Sequence, residues 1–215
     1  MPVLTHSPHP TALQAMSTRM RNFRPRRRWW RRWVKRSAVA LILRQSHGEI
    51  EVLMIQRAER EGDPWSGHMA FPGGRMDPDD RTGLRTAMRE TEEEIGIDIE
   101  RAGNVMGRLS DLVSRPHSGR RPMVVSPYVF SLHIPVSIDS NHEVADTVWV
   151  PLTYLADHRN RQTMEVQRGK LNFVLPCYHY KGKQIWGMSL RMLDELLELV
   201  GGLVSMVEEN PGVVE

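Results

Sequence analysis

Residues 71–97 read FPGGRMDPDDRTGLRTAMRETEEEIGI, a loop with two adjacent glycines followed by a segment that carries four glutamates. The loop is rich in Gly, Pro and Asp, which favour turns, and its glycines let backbone approach a ligand closely. The segment after it predicts a helix from about Arg81 to Ile95. Asp79 or Asp80 is suited to cap the start of this helix, and Gly96 is suited to end it.

Three of the glutamates converge on one side of this helix. Glu90 and Glu94 are four positions apart, and Glu90 and Glu93 are three apart, which are the spacings that bring side chains together on a helical surface. Like charges at these spacings repel each other, and bound Mg²⁺ or Mn²⁺ would remove that cost because both ions prefer carboxylate and carbonyl oxygens. The alternative is a solvated surface helix whose acids pair with Arg85 and Arg89. The glycine loop favours the metal site, because solvation alone does not require such a loop.

The combination resembles the Nudix box, which is a glycine, five residues, a glutamate, seven residues and then R-E-U-x-E-E-x-G-U, where U is bulky and apolar. Gly74 begins the match, and residues 89–97, RETEEEIGI, complete it. Thr91 stands where a bulky apolar residue is usual. The loop is one residue longer than the pattern, and Asp80 replaces its early glutamate. The resemblance covers residues 37 to about 205, and its specific part is the box.

This resemblance implies an α/β fold, the Nudix-type αβα sandwich with a mixed sheet, in which the box forms a loop–helix–loop. It also implies that Glu90, Glu93 and Glu94 bind Mg²⁺ or Mn²⁺, with the carbonyl of Gly74 as a further ligand. Arg89 would orient the glutamates.

The activity implied is hydrolysis of a diphosphate linkage in a small nucleotide substrate. Bound cations neutralise the phosphates and lower the pKa of a bound water, which then attacks phosphorus in line. The catalytic base would be Glu93, or Glu143 in the segment DSNHEVADTVWVP at residues 139–151. The alternative for Glu143 is a charge at the edge of a strand.

Residues 52–74 resemble the signature that precedes the box in coenzyme A pyrophosphatases. Leu53, Arg57, Ala58 and FPGG fit that signature, as does Gly67. Its second arginine falls at Asp63, with one extra residue in the spacing, and the lost cation weakens recognition of phosphates unless Arg60 substitutes. The partial match makes coenzyme A or a related dinucleotide-type compound the favoured substrate. Because the second arginine is missing, ADP-ribose and nucleoside triphosphates remain alternatives.

A second loop offers further cations for the phosphates. Residues 115–130 read RPHSGRRPMVVSPYVF, and arginines in a Gly- and Pro-containing loop can bind phosphate oxygens. A solvated loop is the alternative. The candidate substrate-binding residues of the chain are Arg57, Arg60, Arg115, Arg120 and Arg121.

The rest of the chain predicts one domain with two extensions. Residues 38–44 and 50–57 predict a hairpin, and further strands are expected near 104–109, 123–132, 147–150, 171–175 and 183–186, before a last helix at 188–205. We divide the chain into a basic N-terminal extension (1–36), a Nudix hydrolase domain (37–205) and a C-terminal tail (206–215).

The N-terminal extension is strongly basic. Residues 19–36 contain ten Lys and Arg, and no Asp or Glu precedes Glu49. Removing these ten charges from the net charge of +3 leaves −7 for the rest of the chain. Residues 1–18 are expected to be disordered, and RRRWWRRWVKR at 26–36 predicts an amphipathic helix with its tryptophans on one face and its arginines on the other.

Two roles are open for this Trp/Arg helix. Its tryptophans could pack on the domain or on a second subunit of a homo-oligomer. Alternatively it could bind anionic lipid, nucleic acid or an acidic partner, which would make the protein a binding module rather than an enzyme. The box favours the enzyme, because a binding module does not need converging carboxylates. We expect the tryptophans to pack, because the helix adjoins a core strand without a flexible linker.

Composition limits the compartment. The chain has 215 residues and a single cysteine, Cys177, so no internal disulfide can form, and a reducing, cytoplasmic location is expected. No apolar run is long enough to span a bilayer, and no secretory signal is evident. The arginine-rich leader could be an organelle transit segment, although its serine content is low for one.

Overall fold

The computed structural model of the protein describes residues 11–61, 65–114, 122–168 and 171–208. The helices are α1 (Ala12–Asn22), α2 (Gly83–Ile95), α3 (Ile99–Ala102), α4 (Leu152–Ala156) and α5 (Gly187–Glu208), with short 3-10 helices at Trp29–Trp33 and His158–Asn160. The strands are β1 (Lys35–Ser46), β2 (Glu49–Arg57), β3 (Met69–Ala70), β4 (Gly73–Arg75), β5 (Gly103–Arg108), β6 (Leu112–Ser114), β7 (Met123–Leu132), β8 (Val144–Pro151), β9 (Arg161–Arg168), β10 (Leu171–Tyr180) and β11 (Lys183–Trp186).

The main sheet is mixed, as the sequence predicted. Its strands run in the order β3-β2-β1-β7-β5, while β4 pairs with β1, β6 with β7 and β8 with β2. β1 pairs parallel with β7 and antiparallel with β2. A second sheet of three strands has the order β11-β10-β9.

Alternation along β1 divides the interior into two cores. Ala38, Ala40 and Ile42 belong to one buried cluster, and Leu41 and Leu43 belong to the other. Successive side chains of a strand point to opposite faces of the sheet, so a strand buried on both faces is apolar throughout. The cluster on the first face includes α2 and α3, and the cluster on the other face includes α1, α4 and α5. The αβα sandwich expected from the resemblance is confirmed.

Helix α2 begins slightly later than predicted. Its N-cap is Thr82, whose Oγ1 accepts a hydrogen bond from the N–H of Arg85 at 3.3 Å, so the cap is neither Asp79 nor Asp80. The end of the helix matches the prediction: Gly96 adopts φ 69° and donates its N–H to the carbonyl of Glu92. Glycine favours this left-handed conformation because it has no Cβ.

The N-terminal segment differs from two expectations, disorder at residues 1–18 and an amphipathic helix at residues 26–36. Disorder was expected over residues 1–18, but α1 begins at Ala12, and Thr11 and Gln14 form a capping box at its start. Met16 and Met20 of this helix are buried in the core beside α5 and β5. The helix therefore contributes to the packing of the domain.

The Trp/Arg segment is not the predicted amphipathic α-helix. It forms only the short 3-10 helix Trp29–Trp33. Its length is limited on both sides: the N–H of Arg28 is bonded to Asp111, and β1 already pairs with β7 at Lys35. An α-helix across residues 25–35 would break these contacts.

The second half of the chain contains elements that the sequence did not predict. β8 begins at Val144 rather than at 147, β10 extends to Tyr180, and β9 was not predicted at all. β9 reads RQTMEVQR, without a run of apolar residues, and it gains its order by pairing with β10.

Among the described residues, no helix is long and apolar enough to cross a membrane.

The packing of α1 leads to a stability prediction. We expect Met16→Ala to lower the free energy of unfolding by about 2–4 kcal/mol, because it removes a fully buried side chain and leaves a cavity. Urea unfolding followed by circular dichroism measures the change. Arg21→Ala, on the exposed side of the same helix, is the control and should change little. Equal effects of the two variants would contradict the packing of α1 on the domain.

Candidate active site

The glycine loop is held against strand β1. Residues Gly73–Arg75 pair with Ser37–Val39, the N–H of Ala40 donates to the carbonyl of Pro72 at 2.8 Å, and the carbonyl of Gly74 accepts from Ser37 Oγ at 2.6 Å. The loop therefore has a fixed place at the edge of the sheet, close to α2.

The two glycines have different neighbours: backbone at Gly73 and a side chain at Gly74. Gly73 has φ 149°, and a Cβ there would lie 2.3 Å from the carbonyl oxygen of Ala38. A Cβ on Gly74 would lie 2.3 Å from the carboxyl group of Glu90. The loop thus brings glycine backbone against a carboxylate of α2, while the predicted approach of this backbone to a ligand stays a prediction.

Glu94 is the most buried carboxylate of the site. Its side chain accepts the N–H of Gly73 at 2.8 Å, and the residue is 3% exposed. Burial, assisted by the negative charges of Glu90 and Glu143, raises its pKa to about 7, against the opposing effects of the Gly73 hydrogen bond and of Arg57. The effects of Gly73, Glu90, Arg57 and Glu143 on this pKa indicate that these four residues face the same site as Glu94.

Glu90 is shifted in the same direction. Burial raises its pKa above the ordinary value, although Arg89 opposes the shift and binds Glu90 Oε1 from Nη2 at 3.0 Å. Two neighbouring carboxyl groups that both resist ionisation form a site whose charged state a cation would stabilise.

Arg89 connects the carboxylates of the box. Its guanidinium donates to Asp80 Oδ2 at 2.9 Å and to Glu93 Oε2 at 3.0 Å, as well as to Glu90. The hydrogen bond to Asp80 is the main reason that the pKa of Arg89 is raised, and the same contact lowers the pKa of Asp80. Asp80, which replaces the early glutamate of the box, thus anchors the arginine.

The structure gathers the expected metal ligands only in part. Glu90 and Glu94 lie together at the glycine loop, whereas Glu93 is more than half exposed and pairs with Arg89. Within the described ranges, no group of three acidic, His or Cys side chains is close enough to hold an ion as the side chains stand. The oxygen donors of Glu90 and Glu94 nevertheless suit a hard cation, whereas the carbonyl of Gly74 already accepts a hydrogen bond from Ser37 Oγ.

Glu143 reaches the site through a loop that is fastened to the end of α2. Asn141 donates its N–H to the carbonyl of Glu94 and its Nδ2 to the carbonyl of Glu93, each at 2.9 Å. The Oδ1 of Asn141 accepts the N–H of Glu143 at 2.8 Å. One side chain therefore satisfies the end of the helix and sets the position of Glu143, and sequence reasoning missed it. Its position two residues before the candidate base does not by itself predict this role.

The candidate substrate arginines have different positions. Arg57, at the end of β2, is near enough to lower the pKa of Glu94. Arg60 is exposed, and its Nη2 lies 3.4 Å from Glu143 Oε1. Arg115, Arg120 and Arg121 lie outside the described residues, as does Asp63.

The burial of Glu94 predicts how stability depends on pH when divalent ions are absent. The folded protein holds the Glu94 proton up to about pH 7, whereas the unfolded chain releases it near 4.5. The folded state therefore binds more protons in this window, so the free energy of unfolding should fall as pH rises through it. Urea unfolding in EDTA at a series of pH values measures the slope.

Glu94→Gln is the matched control for this slope, since the amide can keep the hydrogen bond from Gly73. Most of the decline should disappear in this variant, with a remainder from Glu90. Identical slopes in the two proteins would show that Glu94 is ionised throughout the window.

Comparison with known proteins identifies the family of the chain. The family model described as NUDIX domain matches residues 34–169. The chain is 28% identical over 166 residues to the mitochondrial coenzyme A diphosphatase NUDT8 of Mus musculus, covering 76% of this chain and 77% of that protein. Over 107 residues it is 40% identical to the uncharacterized protein C14C4.10c of Schizosaccharomyces pombe, covering 48% of this chain and 32% of that protein.

A solved structure shares the fold. The MutT/nudix family protein from Enterococcus faecalis superposes with a TM-score of 0.51 at 17% identity, over 82% of this chain and 64% of that one. The region that the family model matches, residues 34–169, includes the glycine loop, α2 and the loop that carries Glu143. The chain belongs to the NUDIX domain family.

Proposed function

We propose that the protein hydrolyses the diphosphate linkage of a nucleoside diphosphate derivative, with coenzyme A as the favoured substrate, and that the reaction depends on Mg²⁺ or Mn²⁺. The observation that carries the proposal is the pair Glu90 and Glu94, buried against glycine backbone with raised pKa values. Pyrophosphohydrolase activity is what family membership supports.

Glu90 and Glu94 would hold the cation, with Glu93 and the carbonyl of Gly74 as further donors. When bound, the cation neutralises the phosphates and acidifies a water molecule. Arg89 keeps the carboxylates in place, because it binds Glu90 and Glu93 at the same time and is itself anchored by Asp80.

Glu143 is the base we favour. Glu93 is engaged by Arg89 at 3.0 Å, whereas Glu143 has a longer contact of 3.4 Å with the exposed Arg60 and is fixed through Asn141. In the proposed step, a water oxygen bonds to phosphorus, the bridging P–O bond breaks, and Glu143 accepts the proton that the water loses. The two products each carry a terminal phosphate.

Arg57 and Arg60 would bind the diphosphate, since the charge of Arg57 acts on Glu94 and Arg60 lies 3.4 Å from Glu143. Arg115, Arg120 and Arg121 remain candidates for the same role. A guanidinium can bind a phosphate through two parallel hydrogen bonds.

The substrate preference rests on two observations. The segment from Leu53 to FPGG resembles the coenzyme A pyrophosphatase signature, and one relative is named as a coenzyme A diphosphatase. ADP-ribose and nucleoside triphosphates are the alternatives, because Asp63 stands where that signature has an arginine. The cytoplasmic location and a homo-oligomeric state stay predictions.

Metal dependence is tested first by activity. We expect hydrolysis to require Mg²⁺ or Mn²⁺, and Glu94→Gln to lower kcat on the order of a hundredfold or more, because a charge that stabilises the transition state is lost. Glu92→Gln, on the exposed side of α2, is the matched control and should retain activity. Full turnover in excess EDTA would refute the proposal.

The same assay separates the two candidate bases. Glu143→Gln should reduce kcat far more than Glu93→Gln does at saturating metal, because proton transfer by a positioned base contributes about a hundredfold or more. The reverse order would assign the base to Glu93.

The substrate is tested with a panel of coenzyme A, ADP-ribose, dinucleoside polyphosphates and nucleoside triphosphates, with products identified by mass. We expect coenzyme A or a related dinucleotide-type compound to be cleaved at its diphosphate linkage, releasing an adenosine-containing product. Arg57→Ala should raise KM about tenfold or more, since it removes a charge-assisted hydrogen bond to phosphate. Hydrolysis of nucleoside triphosphates alone would overturn the substrate assignment.

A further inference from the structure

Two tryptophans of the N-terminal segment are left on the surface. Trp29 is 77% exposed and Trp33 is 55% exposed. Their rings contact each other edge to face, with centroids 5.4 Å apart, and the guanidinium of Arg32 lies 4.1 Å above the ring of Trp33. We call these three residues the tryptophan–arginine patch. The expected packing of the tryptophans on their own domain is wrong for Trp29 and Trp33.

The patch is nevertheless held in a fixed place. The side chain of Asp111, which is fully buried, accepts the N–H of Arg28 at 2.8 Å and a contact from Arg31 Nη1 at 3.4 Å. Its backbone N–H donates to the carbonyl of Arg26 at 3.0 Å, and Arg26 N–H donates to Ser110 Oγ at 3.0 Å. The exposure of the tryptophans is therefore a property of an anchored segment.

Asp111 is held in its ionised form. Burial opposes ionisation, but hydrogen bonds from Arg28 N–H and from Ser126, together with the positive charge of Arg108, outweigh it and lower the pKa of this carboxyl group. Asp111 therefore stays negatively charged across the neutral pH range. Its charge continues to hold the N-terminal segment that carries the patch.

The chain segment that carries the patch is cationic. No Asp or Glu precedes Glu49 in the sequence. The exposed cations next to the patch in the sequence are Arg24, Arg26, Arg27, Arg28 and Lys35. Such a surface is complementary to a partner whose outer layer is negatively charged and whose layer beneath is apolar enough to accept aromatic rings.

The geometry favours a lipid surface over nucleic acid. Bases bind tryptophan by stacking on its open face, but the rings of Trp29 and Trp33 are 83° apart, and Arg32 covers one face of Trp33. A bilayer interface suits the observed arrangement, because tryptophan inserts at the level of the headgroups while arginine reaches anionic phosphates. We infer that the tryptophan–arginine patch is a docking site for a membrane that contains anionic phospholipid.

Docking there would hold the candidate active site near the bilayer. Strand β1 begins at Lys35, and its residue Ser37 pairs with the glycine loop. Three residues, 34–36, separate Trp33 from Ser37, so the path along extended chain has four steps and is about 13 Å long. The inference does not depend on the reaction that the site performs.

Cosedimentation of the full chain with vesicles tests the inference. We expect binding to vesicles that contain phosphatidylserine, weak binding to vesicles of phosphatidylcholine alone, and a steep loss of binding as salt is added. The double variant Trp29→Ala, Trp33→Ala should bind on the order of tenfold more weakly, because its apolar contribution is lost.

The matched control is Leu171→Ala, Phe173→Ala, which removes two exposed apolar side chains from β10. Both double variants should keep the circular dichroism spectrum and the activity in free solution, and only the tryptophan variant should lose vesicle binding. Equal loss in the two variants, or no binding to phosphatidylserine vesicles, would overturn the inference. Stronger Trp-dependent binding to single-stranded RNA or DNA would assign the patch to nucleic acid, and Trp-dependent dimerisation would assign it to a second copy of the chain.

Discussion

The hydrogen bond from the N–H of Gly73 to the buried carboxylate of Glu94 joins the parts of the site. On one side of it, the glycine loop is paired with β1, and through β1 with the main sheet. On the other side, Glu94 belongs to α2, which packs on the same sheet. A carboxylate at this depth is costly unless it is protonated or paired with positive charge. The loop and helix can therefore form a stable site only if Glu94 is protonated or its negative charge is neutralised by a neighbouring group or a ligand.

Several neighbouring groups act on the ionisation of Glu94, some favouring its charged form and others its protonated form. The Gly73 N–H and Arg57 favour the ionised form of Glu94, while burial, Glu90 and Glu143 favour the protonated form. Arg89 stands apart from this balance, since it binds Glu90 and Glu93 and is itself held by Asp80. The arginine thus limits repulsion among the carboxylates on the helix surface, and the charge at the buried centre is left for a ligand to neutralise.

Local sequence was sufficient for α2, the glycine loop and the hairpin of β1 and β2, because each depends on turn chemistry and periodicity within a few residues. It placed Glu90 and Glu94 together for the same reason. Contacts between distant segments were beyond it. The order of α1 depends on Met16 and Met20 filling a core next to α5, and β9 depends on pairing with β10. The Trp/Arg segment had a helical pattern, but Asp111, far along the chain, fixes its backbone outside the α-helical form. Asn141 also had no recognisable signal by itself, because its partners are the carbonyls at the end of a helix nearly fifty residues earlier.

The central claim is that the pair Glu90 and Glu94 binds a divalent cation, and it is tested most directly by calorimetric titration of Mn²⁺ into the metal-free protein in buffers of different ionisation enthalpy. Because burial raises the pKa values of both carboxyl groups, binding slightly below neutral pH should release protons, and the release should shrink in Glu94→Gln. Binding without proton release, or with the same affinity and release in Glu94→Gln, would contradict the account.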